Sequence, residues 1–280
     1  MRRQRGDRAG RFSRASKIAS AGGGGGGSDL AANIAALPAR TTAPTYRHDG
    51  QSRSNSNTSN PYTLTGLTAG DIALTMHFKD NNGSAPTFNS LTNGSGVQSL
   101  SVENPTYAKY STTCIGWQTC AGTTAPFTSS WSGSFSNDSN YMATVAYDGS
   151  TVSGDPTLLA FNSISVGYDS VAVDGFNWGE FTSDTVSSPA IFQLPDFTVP
   201  AGYIFCLQTV RSLQQSTGRL ETSLGTKTAY QTSLDGSDAT QAFYDIPAGD
   251  STSPRFWQST QDAFWDRQGY LALWAIPGTA

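Results

Sequence analysis

The chain has 280 residues, enough for one large or two small domains with a core of their own. Charged residues make up 14% and aromatics 11%, with 29 glycines and only three glutamates, which excludes a protein built from long Glu/Lys/Leu-periodic helices and favours short strands joined by turns. The net charge of -4 conceals a split: residues 1–20 hold Arg2, Arg3, Arg5, Arg8, Arg11, Arg14 and Lys17 against Asp7, a tail of +6, and leave the remainder ten basic and twenty acidic groups, a body of -10.

In chain order, residues 1–27 form a basic, Gly-rich arm. Arginines alternate there with Gly, Ser, Ala and Gln, and Phe12 and Ile18 are the only sizeable apolar groups, so the segment cannot fold alone. A cationic arm on an acidic body predicts a partner. Guanidinium groups suit nucleic-acid phosphates or an acidic protein surface, and the alternative is a solvated tail. Six consecutive glycines, 22–27, then uncouple whatever the arm grips from the folded body.

Residues 28–60 read as a short docking helix and a polar linker. Ser28 or Asp29 can cap a helix carrying Leu30, Ile34 and Leu37 on one stripe, stopped by Pro38. A ten-residue helix is unstable alone, so its stripe must pack on the chain's own body or on a neighbouring subunit. The Thr-, Ser-, Asn- and Arg-rich stretch 39–60 reads as linker.

From Pro61 to the end, short apolar runs alternate with Gly/Pro/Asn/Asp turns, which predicts an all-β body, a β-sandwich or jelly roll. It also reads as a duplication, with halves at about 61–155 and 188–280. Leu67–Phe78 (L-T-A-G-D-I-A-L-T-M-H-F) echoes Val199–Val210 (V-P-A-G-Y-I-F-C-L-Q-T-V), the densest apolar run in the chain. Asn140–Gly149 (N-Y-M-A-T-V-A-Y-D-G) echoes Gln268–Gly278, and the two echoes are separated by near-equal intervals in both halves. Phe127, Trp131 and Phe135 share one parity, as on a strand covered on one face.

For chemistry the chain offers little. His48 and His77 stand in no metal spacing, no nucleophile elbow or phosphate loop is present, and the expectation is a non-enzyme without metal or cofactor. Cys114, Cys120 and Cys206 read as buried free thiols, with a Cys114–Cys120 bridge as the alternative. Trp178, Trp257 and Trp265 lie in or beside loop-like sequence and are the candidates for stacking on a glycan, against core packing as the ordinary role. No apolar stretch has the length of a membrane span, so no membrane partner is expected.

The order T-A-G-D-I-A-L, P-T-F, I-G-W, A-P-F-T-S-S-W-S-G and Y-M-A-T-V-A-Y-D-G, followed by V-P-A-G-Y-I-F-C-L, T-A-Y-Q-T and Y-L-A-L-W-A-I-P, resembles a β-sandwich module of tailed-bacteriophage virion proteins, of tail-fibre or head-decoration type. The resemblance spans about Tyr62 to Ile276. It departs at Tyr203, where the first copy has Asp71, and the basic arm is no part of the module. It implies no catalytic residues. What it implies is a structural or adhesive part displayed on a virion; joined to the charge split, the expectation is a virion structural protein held to capsid, portal or tail proteins by the arm and the Leu30–Ile34–Leu37 stripe, its body displayed as a homo-oligomer. Two alternatives stand beside it: a jelly-roll coat protein of a small icosahedral virus, whose arginine arm binds the genome, and a sugar-binding adhesin.

Overall fold

The computed structural model describes residues 30–54, 58–81, 85–104, 109–133, 140–166, 190–193, 197–213, 220–222, 229–232, 239–249, 251–252, 255–258 and 267–280. A six-residue helix, α1 (Leu30–Ala35), precedes an all-β body. The first half holds β1 (Tyr46–Ser54), β2 (Ser59–Thr65), β3 (Ile72–Asn81), β4 (Thr87–Thr92), β5 (Ser95–Asn104), β6 (Lys109–Thr119), β7 (Thr124–Ser132) and β8 (Asn140–Tyr147). These make a five-stranded antiparallel sheet, β1-β8-β3-β6-β5, and a three-stranded one, β2-β7-β4.

The second half repeats the plan. Its strands are β9 (Thr157–Val166), β10 (Ala190–Gln193), β11 (Phe197–Thr198), β12 (Tyr203–Leu213), β13 (Leu220–Thr222), β14 (Ala229–Thr232), β15 (Ala239–Pro247), β16 (Ser251–Thr252), β17 (Arg255–Gln258) and β18 (Arg267–Pro277). Their sheets run β9-β18-β12-β15-β14 and β10-β17-β13, with β11 and β16 as an added pair. In each half the first strand lies beside the last, and the strand opened by the glycine turn sits next in the sheet. That is the strand order of a jelly roll, so the body is two rolls in tandem.

The two sequence echoes mark equivalent strands in equivalent register. Across β3 and β8, Ile72 faces Tyr147 and Phe78 faces Tyr141; across β12 and β18, Ile204 faces Ile276 and Val210 faces Tyr270. The turns agree as well. Gly70 and Gly202 both take positive φ, 95° and 73°, where a side chain would be strained. Each is met by the glycine just beyond the closing strand. A Cβ on Gly149 would lie 1.9 Å from the Gly70 carbonyl oxygen, and one on Gly278 would lie 2.8 Å from that of Gly202 and 1.7 Å from that of Thr42. Backbone approaches this close leave room for glycine alone.

The two five-stranded sheets pack face to face. Ile72, Leu74, Met76, Phe78, Tyr141 and Val145 of the first meet Cys206, Val210, Phe243, Tyr270, Trp274 and Ile276 of the second in one shared core. The contacts are reciprocal: β1 touches β14 as β9 touches β5, β8 touches β15 as β18 touches β6, and β3 touches its own counterpart β12. This is the pattern of a two-fold interface, here joining two halves of one chain. Each sheet has a second core behind it. Leu64, Leu91, Phe127 and Trp131 cover the first, while Phe197, Val199, Phe205, Leu207, Leu271 and Leu273 belong to the second. Central strands are therefore buried on both faces, which is why β8 is buried along its whole length and why residues 203–207 of β12 and 270–276 of β18 read as unbroken apolar runs rather than alternating ones.

The structure corrects the reading of the segment before the body. The stretch 39–60 is no linker: Tyr46–Ser54 is an edge strand paired to β8 from Tyr46 to Ser54, and Ser59–Thr65 pairs with β7. An edge strand needs a partner on one side only, so backbone hydrogen bonds hold it in place although its side chains, such as Arg53 and the exposed His48, are polar. The helix stripe also has its partner within the chain. The three thiols are free and buried, without a Cys114–Cys120 bridge.

Candidate functional site

The point where the arm joins the body is built from α1 and the segment after it. Leu30 is 7% exposed and lies in the second roll's outer core, with Ile34 and Leu37 packed against the same cluster. The Asn33 amide donates to the Leu159 carbonyl at 3.0 Å. Pro38 lies just past the helix, and its carbonyl accepts from the Tyr203 hydroxyl at 2.7 Å. Arg40 then donates to the Ser153 carbonyl at 3.1 Å, and the amides of Thr41 and Thr42 donate to the Thr279 carbonyl at 3.0 and 3.2 Å. The stripe Leu30, Ile34 and Leu37, expected to serve anchoring to a partner, thus seats the helix on the chain's own second roll. A six-residue helix has too few turns to stand free, and the apolar face beside it belongs to the same chain. Arg2, Arg3, Arg5, Arg8, Arg11, Arg14 and Lys17 lie outside the described residues, as do Trp178 and Trp265. Trp257 falls on β17, the central strand of the second roll's three-stranded sheet, opposite Ile191 and Glu221. The structure therefore brings the helix residues together at the arm's root and does not bring the tryptophans to a described site.

The fold assembles several polar clusters in the body that carry no motif in the sequence. At one end of the first roll, Asp71 accepts the Thr68 and Gly149 amides at 2.8 and 3.0 Å. Arg47 bridges it to Asp148 with ion-pair distances of 3.1 and 3.0 Å. The Ser150 hydroxyl and amide, with Arg47 beside them, hold the Asp148 carboxyl below the ordinary carboxylate range. Both carboxylates tie down the glycine turn that closes the roll. Their signal was in the two echoes themselves, where an aspartate follows Gly70 and another precedes Gly149.

Inside the first roll, His77 is fully buried with Nδ1 2.9 Å from the Ser129 hydroxyl and its ring edge-on to Phe127. Burial pushes its pKa down to about 3, so it is a neutral core residue. Between the rolls, the Tyr147 hydroxyl donates to Asp245 at 2.5 Å, with the Cys206 thiol alongside. Desolvation raises the Asp245 carboxyl to about 6 against the Tyr147 hydrogen bond, which lowers it, and the charge of Asp49 adds to the rise. A second polar bridge links the same sheets: the Tyr270 hydroxyl donates to the Ser111 carbonyl at 2.8 Å.

The outer face of β2-β7-β4 is different in kind. Its exposed positions include Ser59, Thr63, Thr65, Thr87, Thr92 and Thr124, hydroxyl-bearing and without a charge, while the alternate positions carry Leu64, Leu91, Phe127 and Trp131 inward. The molecule thus offers a fixed root for a cationic arm on one roll and a neutral, hydroxyl-rich sheet on the other. Comparison with models of known protein families, with curated proteins and with solved structures finds no match to this chain.

Proposed function

We propose that this chain is a structural subunit of a virus particle, of the tailed-phage decoration or fibre kind. The arm anchors it to capsid, portal or tail proteins, and the tandem rolls are displayed as a homo-oligomer. The observation that carries this reading is the root of the arm. Leu30, Asn33, Pro38, Arg40 and Thr41 are fastened to the second roll and its flanking turns, so the +6 segment of residues 1–20 and the six glycines after it join an otherwise acidic body at one defined place. Charge attraction between the basic segment and an acidic partner then holds the subunit in place, while the net negative charge of the body favours its solubility.

The test is removal of residues 1–27, which stops short of Leu30. The truncated chain is expected to keep its melting temperature yet fail to co-sediment with particles assembled in its presence. Incorporation at full occupancy would overturn the anchoring role. A second reading, a coat subunit whose arm neutralises the packaged genome, is favoured by the jelly-roll strand order in both halves. Closed shells formed by the purified full chain with nucleic acid, and not by the truncated one, would decide for it.

A further inference from the structure

The interface between the rolls is nearly symmetric, and the exception is informative. By the shared register, Tyr147 of β8 corresponds to Ile276 of β18, Asp245 of β15 to Trp117 of β6, and Cys206 of β12 to Leu74 of β3. On one side of the pseudo-two-fold axis the positions are Ile276, Trp117 and Leu74, all members of the shared apolar core. On the other side Tyr147 and Cys206 lie in that core as well but bring a hydroxyl and a thiol, and Asp245 brings a carboxyl. The described groups that face Asp245 are Tyr147 from β8, Cys206 from β12 and Asp49 from β1, the last engaged by the Tyr46 hydroxyl. None of these is a cation. A carboxylate there has one hydroxyl donor, is 8% exposed, and gains hydration only if the sheets part.

We propose that the interface between the rolls carries a one-sided, proton-operated latch. With the Asp245 carboxyl protonated, Tyr147 and Asp245 close the seam; with it ionised, water enters on the Cys206 side and the rolls open there, hinged on the apolar Trp117–Ile276 side. The device makes the displayed body tighter in acid than at neutral pH, and it stands whether or not the body belongs to a virion.

Cys206 reports the opening directly, because it lies in the latch, whereas Cys114 and Cys120 lie in the core of the first roll. Alkylation of the full chain with iodoacetamide, read by peptide mass mapping, gives the Cys206 labelling rate in the wild-type chain and in Asp245→Asn. The wild-type:variant rate ratio cancels the pH dependence of the thiol itself and of any opening governed by His77, since both chains share them. The ratio is expected to be roughly ten-fold higher at pH 6 than at pH 4.5, the change that ~1.4 kcal/mol of added opening produces, because the opened carboxyl ionises near 3.8 and the closed one near 6. A ratio equal at the two pH values would overturn the latch. Should the variant fail to fold, a carboxyl titration of Asp245 by carbon NMR in the wild-type chain decides: a midpoint near 6 supports the latch, and one in the ordinary carboxylate range overturns it.

Discussion

Two buried titratable residues give the body opposite responses to acid. His77 is neutral in the fold and takes a proton near 6.5 when unfolded, so stability is complete above that pH and is lost as pH falls towards 3, by about 1.4 kcal/mol per unit. Asp245 has its folded pKa raised from 3.8 to about 6, so the unfolded state ionises first as pH rises; its contribution is complete below 3.8 and lost by pH 6. Between pH 6 and 4 the two slopes oppose. Urea midpoints are therefore expected to fall on acidification in Asp245→Asn and to rise in His77→Asn, which keeps a polar atom near Ser129 without a titrating ring. Parallel profiles for the two variants would refute the assignment. The closing glycines make a third prediction at this scale. A methyl on Gly149 would lie 1.9 Å from a backbone oxygen, so Gly149→Ala is expected to lower Tm by roughly 6–12 °C, the effect of about 3 kcal/mol on a body of this size.

Among the elements, α1 has a weight that its six residues do not suggest. Leu30 is buried at the arm's root, and Leu30→Ala is expected to cost about 2–3 kcal/mol by lost burial and the cavity left behind. Truncation to residue 38 removes Leu30, Ile34 and Leu37 together and uncovers part of the second roll's outer core. It should depress Tm measurably, whereas truncation to residue 27 should not; equal melting of the two truncated chains would show that the helix contributes nothing. The helix was legible from the spacing of Leu30 and Ile34, although it ends at Ala35, so that Leu37 packs on the same core from the turn before Pro38 rather than from the helix. Its docking partner was not, since Leu159 and Tyr203 are brought to it from more than a hundred residues away. The edge strand β1 was missed for a related reason: pairing through the backbone leaves no apolar signature when the side chains stay half exposed.

At the scale of the whole molecule, the shared core makes each roll depend on the other. A chain limited to residues 30–155 would leave the face carrying Ile72, Leu74, Met76 and Phe78 without its cover. Apolar faces of that kind do not remain in water, so the half is expected to dimerise through it or to aggregate, as size-exclusion chromatography would show. A soluble, stable monomer would mean that the first roll is complete by itself. The same packing accounts for the polar groups that no motif announced. Tyr147 and Asp245 are 98 residues apart and meet only because the second roll is laid over the first.

The features readable from the order of amino acids alone are local or repeated: the all-β class, the glycine-turn strands that open each half, the matching closing strands, the inward parity of Phe127 and Trp131, and the cationic arm. Each of these depends on period, composition or self-similarity, which act within a strand or turn. It took the folded arrangement to show that the two halves are jelly rolls sharing one core, that Leu30, Ile34 and Leu37 are seated on the second roll, and that Asp245 is buried without a facing cation among the described residues. These depend on which faces meet across long stretches of chain, and that is set by the sum of many contacts rather than by any one segment.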